Sequence, residues 1–266
     1  MPIMANNSFS FDLATLSDVP ILAKISADAF TTDRHTRIKT LGQDPNSHSN
    51  MMNEVLSSWL QVPGRCSILK ATDNTTGEIV GWVCWGFHGY QKQGAPVSAE
   101  KGANGKGEDS KQDSEKSKAE ESSPDARDGH GQSQPKVDSE HSDQTPIQRL
   151  ESITNQDMVR WQKILMPDGT KCMIIVAIAV SPTYQSHGVG SALIRWGTAK
   201  ADVDGVFCWV HASEAGHKVF AKEGFTEVGR LEVDLDEFAP GPREDEDGNG
   251  EWGRYTFRYM RRLPEH

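Results

Sequence analysis

The stretch Gln185-Ser186-His187-Gly188-Val189-Gly190-Ser191-Ala192 decides how the rest of the chain is read. Before it lies an unbroken apolar run, Met173-Ile174-Ile175-Val176-Ala177-Ile178-Ala179-Val180, and then the turn Ser181-Pro182-Thr183-Tyr184. After it comes a helical pattern, Ala192-Leu193-Ile194-Arg195-Trp196. The order is strand, turn, glycine loop, helix. The first amides of a helix have no partner inside it, and the helix dipole adds positive potential there, so such a loop suits a phosphate or pyrophosphate. Gly188 and Gly190 lack a Cβ, which lets an anion come close to the backbone. No Gly-Lys-Ser/Thr follows, so this is not a Walker A loop. The third glycine and the acidic strand end of a full dinucleotide fingerprint are also missing. The competing reading is a plain strand-to-helix turn.

Working outward, 266 residues allow one domain of ordinary size or one domain with a large insert. A net charge of −10 and a pI near 5.4 argue against a broad basic surface, so no nucleic-acid partner is expected. Residues 1–11 are polar, and no long apolar run follows. Neither a signal peptide nor a membrane span is expected. Cys66, Cys84, Cys172 and Cys208 form no C-x-x-C pair and sit in apolar strand-like runs. They read as buried free thiols in a reducing compartment, the cytoplasm or the nucleus. The nine histidines show no compact ligand spacing, so no metal site is expected.

From the N-terminus, Phe9 to Leu13 alternates like a first strand. Ser17, Asp18 and Pro20 open a helix that carries Ile21, Leu22, Ile25 and Ala29 on one face and ends near Phe30. Residues 31–50 read as a loop or a short broken helix. A second helix runs to about Gln61. Cys66 to Ala71 and Ile79 to Phe87 form a hairpin about Asn74-Thr75-Thr76-Gly77. Residues 91–143 are dominated by Ser, Lys, Glu, Asp, Gly and Gln and contain no aromatic residue. Such a segment cannot bury enough apolar area to offset chain entropy, and it is read as a disordered insert within one domain spanning residues 1–266. A helix from about Ile147 to Leu165 precedes the central strand, Met173 to Val180, whose continuous apolarity predicts cover on both faces. The helix after the glycine loop runs from Val189 to about Ala201, followed by a fifth strand, Val206 to His211. Ser213 caps a helix from Glu214 to Lys222 that closes on Gly224. Two alternating strands, Phe225 to Leu235 and Trp252 to Arg261, flank a long acidic loop.

The spacing Gln-x-x-Gly-x-Gly after a strand and Ser-Pro-x-Tyr resembles the coenzyme A signature of the GNAT (Gcn5-related N-acetyltransferase) superfamily. A second marker, Val219-Phe220-Ala221-Lys222-Glu223-Gly224-Phe225, resembles the end of that family's last core helix, Tyr-x-Lys-x-Gly-Phe. The resemblance covers Phe9 to Arg262 apart from the insert, and its specific part is Met173 to Phe225. It implies an α/β (α+β) GNAT fold: a mixed, mostly antiparallel sheet of about seven strands flanked by four or five helices. It also implies acetyl-CoA as the donor. Ile178, Ala179 and Val180 would pair with the pantetheine arm, and Gln185, Ser186, His187, Gly188, Val189, Gly190 and Ser191 would cradle the pyrophosphate. Ser213 and Phe220 would flank the acetyl thioester.

The reaction implied is direct attack of a primary amine, most simply that of a small molecule, on the thioester in a ternary complex. The alternatives are a protein or peptide amine as acceptor, or a catalytically idle CoA-binding module. The family's usual acid is the tyrosine of the last helix, and this chain has Phe220 there. His211, at the end of the fifth strand, is the candidate general base, since imidazole titrates near neutrality. Its bland alternative is a hydrogen-bonded strand-end residue. Trp82, Trp85, Trp161 and Trp252 are either core or pocket wall. Glu232, Asp234, Asp236, Glu237 and residues 244–247 are either an acidic rim or an attractor for a cationic amine.

Overall fold

The computed structural model describes residues 8–62, 64–90, 144–243 and 250–265. The segment expected to be disordered, 91–143, and residues 244–247 of the acidic loop lie outside the described residues.

Seven strands form one sheet in the order β1-β2-β3-β4-β5-β7-β6. They are β1 (Phe9–Leu13), β2 (Cys66–Asp73), β3 (Ile79–His88), β4 (Cys172–Val180), β5 (Phe207–Ala212), β6 (Thr226–Asp234) and β7 (Arg254–Arg262). All neighbours are antiparallel except β4 and β5. That one parallel pair needs a crossover, and the helix after the glycine loop supplies it.

Six α-helices surround the sheet among the described residues: α1 (Val19–Ala29), α2 (Arg34–Thr40), α3 (Ser47–Leu60), α4 (Pro146–Leu165), α5 (Val189–Asp204) and α6 (His217–Lys222). The count exceeds the expected four or five because residues 34–40 form a complete helix. The Asp33 carboxylate caps it, accepting from the Thr36 amide at 2.9 Å and from the Thr36 hydroxyl at 2.9 Å. Helix α6 begins later than expected. Ser213 Oγ accepts from the Gly216 amide at 3.2 Å, and residues 214–216 form a turn before the first helical residue.

The two faces of the sheet are covered differently. Leu193, Ile194 and Ala201 of α5 pack with Val83 and Trp85 of β3 and Met173 and Ile175 of β4. On the other face, Leu22 and Ile25 of α1 and Leu56 of α3 meet Ile68, Trp82 and Ala179. Each of the Leu, Ile, Val and Met side chains among them, fully buried, contributes about 1.5–3 kcal/mol of transfer free energy. Helix α5 lies close against the sheet because position 197 is glycine. A Cβ there would come within 2.0 Å of the Trp85 ring. Trp82, Trp85 and Trp252 are fully buried, and Trp161 stacks on Tyr259. Trp82, Trp85 and Trp252 are therefore core, and Trp161 packs half-buried against it.

Candidate active site

Two features of β4 open a cleft in the middle of the sheet. Its parallel pairing with β5 starts at Cys172 opposite Phe207 and stops at Ile175 opposite Val210. Its register with β3 shifts between Ile175 and Ala177, which leaves Val176 bulged. Beyond that point β5 continues to pair with β7 through Ala212, while β4 stays with β3 through Val180. The two strands therefore part, and the β5-facing edge of Val176 to Val180 has no strand beside it. The Ser181 amide donates to the Val80 carbonyl at 2.9 Å. Strand alternation then turns the amides of Ile178 and Val180 away from β3, into the gap. Val180 also shows its carbonyl there, accepting from Gln185 Nε2 at 3.2 Å.

The glycine loop closes one end of the gap. Ser186 (φ 65°) and Gly188 (φ 85°) are both left-handed, and Gly188 is the residue that precedes α5. The first bond of α5 runs from the Ala192 amide to the Gly188 carbonyl at 3.0 Å. The amides of Val189, Gly190 and Ser191 thus have no acceptor in the helix. A cleft of about 460 Å³ lies over these groups. Its lining includes Ile178, Ala179, Val180, Gln185, Ser186, Gly188, Gly190, Ser191 and Ser213 from the sequence-based expectation.

Three expected residues lie elsewhere. His187 turns outward, with Nδ1 2.8 Å from the Gln185 carbonyl. The Val189 side chain is 1 % exposed in the core, so only its backbone can serve the loop. Phe220 is buried at the wall of the neighbouring cavity. The cleft also gains side chains to which the sequence assigns no cofactor role. Phe30 comes from the end of α1, and Tyr184 from the turn before the loop. Lys218 and Lys222, one turn apart on α6, make no ion pair among the described residues.

A second cavity, of about 240 Å³, adjoins the first and shares Phe30, Ile178, Ser213 and Gly216 with it. His211 lines it, one residue past the last β4–β5 rung. It sits opposite Tyr259 and stacks on that ring at 4.7 Å and on Phe257 at 4.9 Å. Burial pushes its pKa from the usual 6.5 down to about 4, against the pull of the Asp157 carboxylate. His35 of α2 lines the same cavity, 4.8 Å from Phe257 and nearly perpendicular to it. Burial, reinforced by the Lys39 charge and opposed by Asp33, also brings His35 to about 4. The Nε2 atom of each imidazole is buried without a hydrogen-bond partner. The Tyr255 hydroxyl donates to Asp33 Oδ1 at 2.7 Å, and burial together with that carboxylate pushes the phenol's pKa up. Asp33 is the one charged side chain in the lining among the described residues.

Arg34 ties this wall together. It donates to Glu214 Oε2 at 2.6 Å, to the Arg254 carbonyl at 2.8 Å and to the Trp252 carbonyl, while Glu214 Oε1 accepts from the Thr256 amide at 3.1 Å. Of the acidic candidates, Asp234 and Asp236 serve the backbone, Asp234 accepting from the Asp236 amide at 3.2 Å. Asp236 accepts from the Trp252 and Gly253 amides at 2.8 Å each, and neither cavity is lined by Glu232, Asp234, Asp236 or Glu237. No group of three or more His, Cys, Asp or Glu side chains converges among the described residues. No described helix is long and apolar enough to cross a membrane.

Comparison with known proteins agrees with this architecture. Residues 148–225, from α4 through α6, match the family model described as the acetyltransferase (GNAT) family. Arylalkylamine N-acetyltransferase 2 from Aedes aegypti is similar in structure, with a TM-score of 0.55 and 12% identity over 97% of this chain and 99% of that one. A protein of the same mosquito described as arylalkylamine N-acetyltransferase 7 gives a TM-score of 0.54 and 11% identity over 96% and 87%. No curated protein matches the sequence significantly. The chain has the GNAT fold, and residues 148–225, which carry most of the larger cleft's lining, match the acetyltransferase (GNAT) family model.

Proposed function

We propose that this protein is an acetyl-CoA-dependent N-acetyltransferase that acts on the primary amine of a small molecule by direct attack in a ternary complex. The observation that carries this reading is a division of charge between two adjoining cavities. The larger is lined by Lys218, Lys222 and the first turn of α5 with its free amides, which suits a phosphorylated donor. The smaller is lined by one carboxylate, Asp33, and by aromatic rings, which suits an amine. They meet where β4 leaves β5. The smaller cavity falls below the usual range for drug-sized ligands, about 300–1,000 Å³, and that favours a compact acceptor.

The residues fit acetyl-CoA along the whole cleft. The outward amides of Ile178 and Val180 would hold the pantetheine arm as an added strand, and the 185–191 loop would hold the pyrophosphate. An outward β4 amide can donate to the carbonyl oxygen as it gains charge. The amine nitrogen forms the new C–N bond, the carbonyl electron pair moves to oxygen, and collapse breaks the C–S bond to release the thiolate. His211 lines the smaller cavity and would lie beside the attacking amine. With a pKa near 4, this imidazole is too weak a base to strip an ammonium ion, so the acceptor must react as the free amine. The proton released from nitrogen ends on the CoA thiolate, whose pKa of about 8.5 makes it the stronger base. Phe220 supplies no proton; the Ser213 hydroxyl, which borders both cavities, would hydrogen-bond the leaving sulfur.

One observation favours a second reading, an idle CoA-binding module: the ring at the usual acid position, Phe220, is 2 % exposed and carries no hydroxyl. Thiol release from acetyl-CoA, measured over a panel of small amines and amino-terminal peptides with mass detection of the acetylated product, separates the readings. Turnover of small amines supports the transferase. Tight cofactor binding without thiol release on any amine would leave the idle module.

A further inference from the structure

Resting on the transferase reading, we infer that Trp161 of α4 is a positioning residue of the acceptor site: acting through Tyr259, it fixes the imidazole ring of His211 where that ring meets the smaller cavity.

Three residues form a row across the sheet. Gly229 of β6 stands opposite Tyr259 of β7, and Tyr259 stands opposite His211 of β5. Directly opposed residues project to the same face of a sheet, so the row is shared by one layer of side chains. It stops at His211, because β4 has left β5 one residue earlier, and its end is part of the wall of the smaller cavity. Position 229 has no side chain, and Trp161 fills its place: a Cβ there would come within 1.8 Å of the indole. The indole stacks on Tyr259 at 4.9 Å and 21°, and Tyr259 stacks on His211 at 4.7 Å and 17°. Phe257, two residues along β7, stacks on the same imidazole at 4.9 Å. A succession of flat rings thus leads from a half-buried side chain of α4 to the acceptor cavity.

This packing is not the cheapest way to cover the row. A glycine inside a strand weakens it, the β6–β7 register slips between Glu227 and Gly229, and the indole Nε1 is buried without an acceptor. Aliphatic side chains would bury His211 without these costs, but they would not set the plane of its ring, as stacked aromatic faces do. Few charges face the imidazole. On α4, the Asp157 carboxylate pulls its proton affinity up and is itself paired with Arg160 at 3.3 Å, whose guanidinium lies over the Trp161 ring. On β7, burial holds the phenols of Tyr255 and Tyr259 protonated. On α2, His35 is neutral and Asp33 accepts from the Tyr255 hydroxyl. Just past β5, Glu214 is paired with Arg34, and burial pushes the Cys172 thiol of β4 up to about 11. Burial therefore decides the state of His211 and leaves it uncharged. A protonated ring in this wall would set a positive charge beside the incoming amine.

The test is the titration midpoint of the His211 ring resonance in the full chain, followed by NMR between about pH 4 and pH 8 and assigned by its loss in His211→Gln. The wild-type midpoint should lie near 4. Trp161→Ala removes the outer ring, and Gly229→Ala crowds that ring off the row without deleting any ring. Each should raise the midpoint by about 1–2 pH units, and Trp161→Phe should keep most of the wild-type behaviour. Thiol release with the best substrate of a small-amine panel should then fall about twofold further than wild type between pH 8 and pH 5.5, with acetyl-CoA affinity unaltered. A midpoint unmoved in both folded variants, a wild-type midpoint near 6.5, or moved midpoints with an unchanged pH profile of turnover would overturn the inference. If neither variant folds, the wild-type resonance decides: a position upfield of free histidine, from the ring currents of the stack, upholds it, and the free position overturns it. Moved midpoints in a protein that turns over no amine would uphold the row and remove the transferase reading instead.

Discussion

Ile175 of β4 and Val210 of β5 form the last parallel rung between those strands. Everything proposed for this protein follows from what happens one residue later. Val176 bulges, β4 presents a free edge, and His211 meets the cavity that opens beside it. The donor groups and the acceptor groups come to one place because neither strand follows the other past that rung.

The glycine at position 188 is required by its backbone. Its φ is 85°, and no atom lies within 4 Å of where a Cβ would stand, so a substitution is limited by conformation and not by space. Gly188→Val should strain the loop by about 1–2 kcal/mol and turn the amides before α5 out of line. The expected result is a melting temperature lowered by a few degrees with acetyl-CoA affinity reduced by about tenfold. Unchanged affinity would place the phosphate elsewhere.

Position 197 makes the opposite case. Its φ is unremarkable, but a Cβ would lie 2.0 Å from one Trp85 ring atom and 2.3 Å from another. Gly197→Ala should therefore destabilise the fold by about 1–3 kcal/mol or more. Trp85→Leu combined with it should recover part of the loss. Denaturant unfolding of the three variants measures this, and a Gly197→Ala variant as stable as wild type would contradict the packing of α5.

These two glycines show how unevenly the sequence can be read. Gly188 announces itself, because a Gly-x-Gly between an apolar strand and a helix has a local meaning, and the loop lies where that meaning puts it. Gly197 sits within an ordinary helical pattern, and its partner, Trp85, is 112 positions away. The acceptor wall was illegible for the same reason. Asp33 and Tyr255 are bonded across 222 positions, and Arg34 reaches Trp252 across 218. Helix α2 buries one apolar side chain, Ile38, so it lacks the stripe that marks a helix, and only the Asp33–Thr36 cap betrays it. The fifth strand runs one residue past His211, its expected end, and the proton affinity of His211 depends on Phe257 and Tyr259, which meet it only in the folded sheet.

The two imidazoles predict a pH dependence of stability. In the unfolded chain each titrates near 6.5; in the folded protein each stays neutral down to about 4. Between those values the unfolded chain binds more protons, so stability is fully present above about 6.5 and falls as the pH drops toward 4. Each group accounts for about 3 kcal/mol over that window. The melting temperature of the wild type should fall more steeply between pH 7 and pH 5 than that of a His35→Phe, His211→Phe double variant. Parallel curves would show that the imidazoles are not held neutral.

Arg34 joins α2 to the β5–α6 turn and to β7, and its partner Glu214 also anchors the Thr256 amide. Both side chains are about two-thirds or more buried, so the pair is only partly screened by solvent. Arg34→Ala should cost about 1–2 kcal/mol of stability. Its kinetic effect should fall on the acceptor, with a raised KM for the amine and an unaltered affinity for acetyl-CoA, since none of these contacts reaches the 185–191 loop. Equal losses in both affinities would show that the two cavities are not separately supported.

The most direct test of the central claim is a calorimetric titration of the wild-type chain and Gly188→Val with acetyl-CoA under identical conditions. The cleft between β4 and β5 predicts one site per chain with micromolar affinity, weakened by about tenfold in the variant. Absence of binding by the wild type at high micromolar acetyl-CoA, or equal affinity in the two proteins, would contradict it.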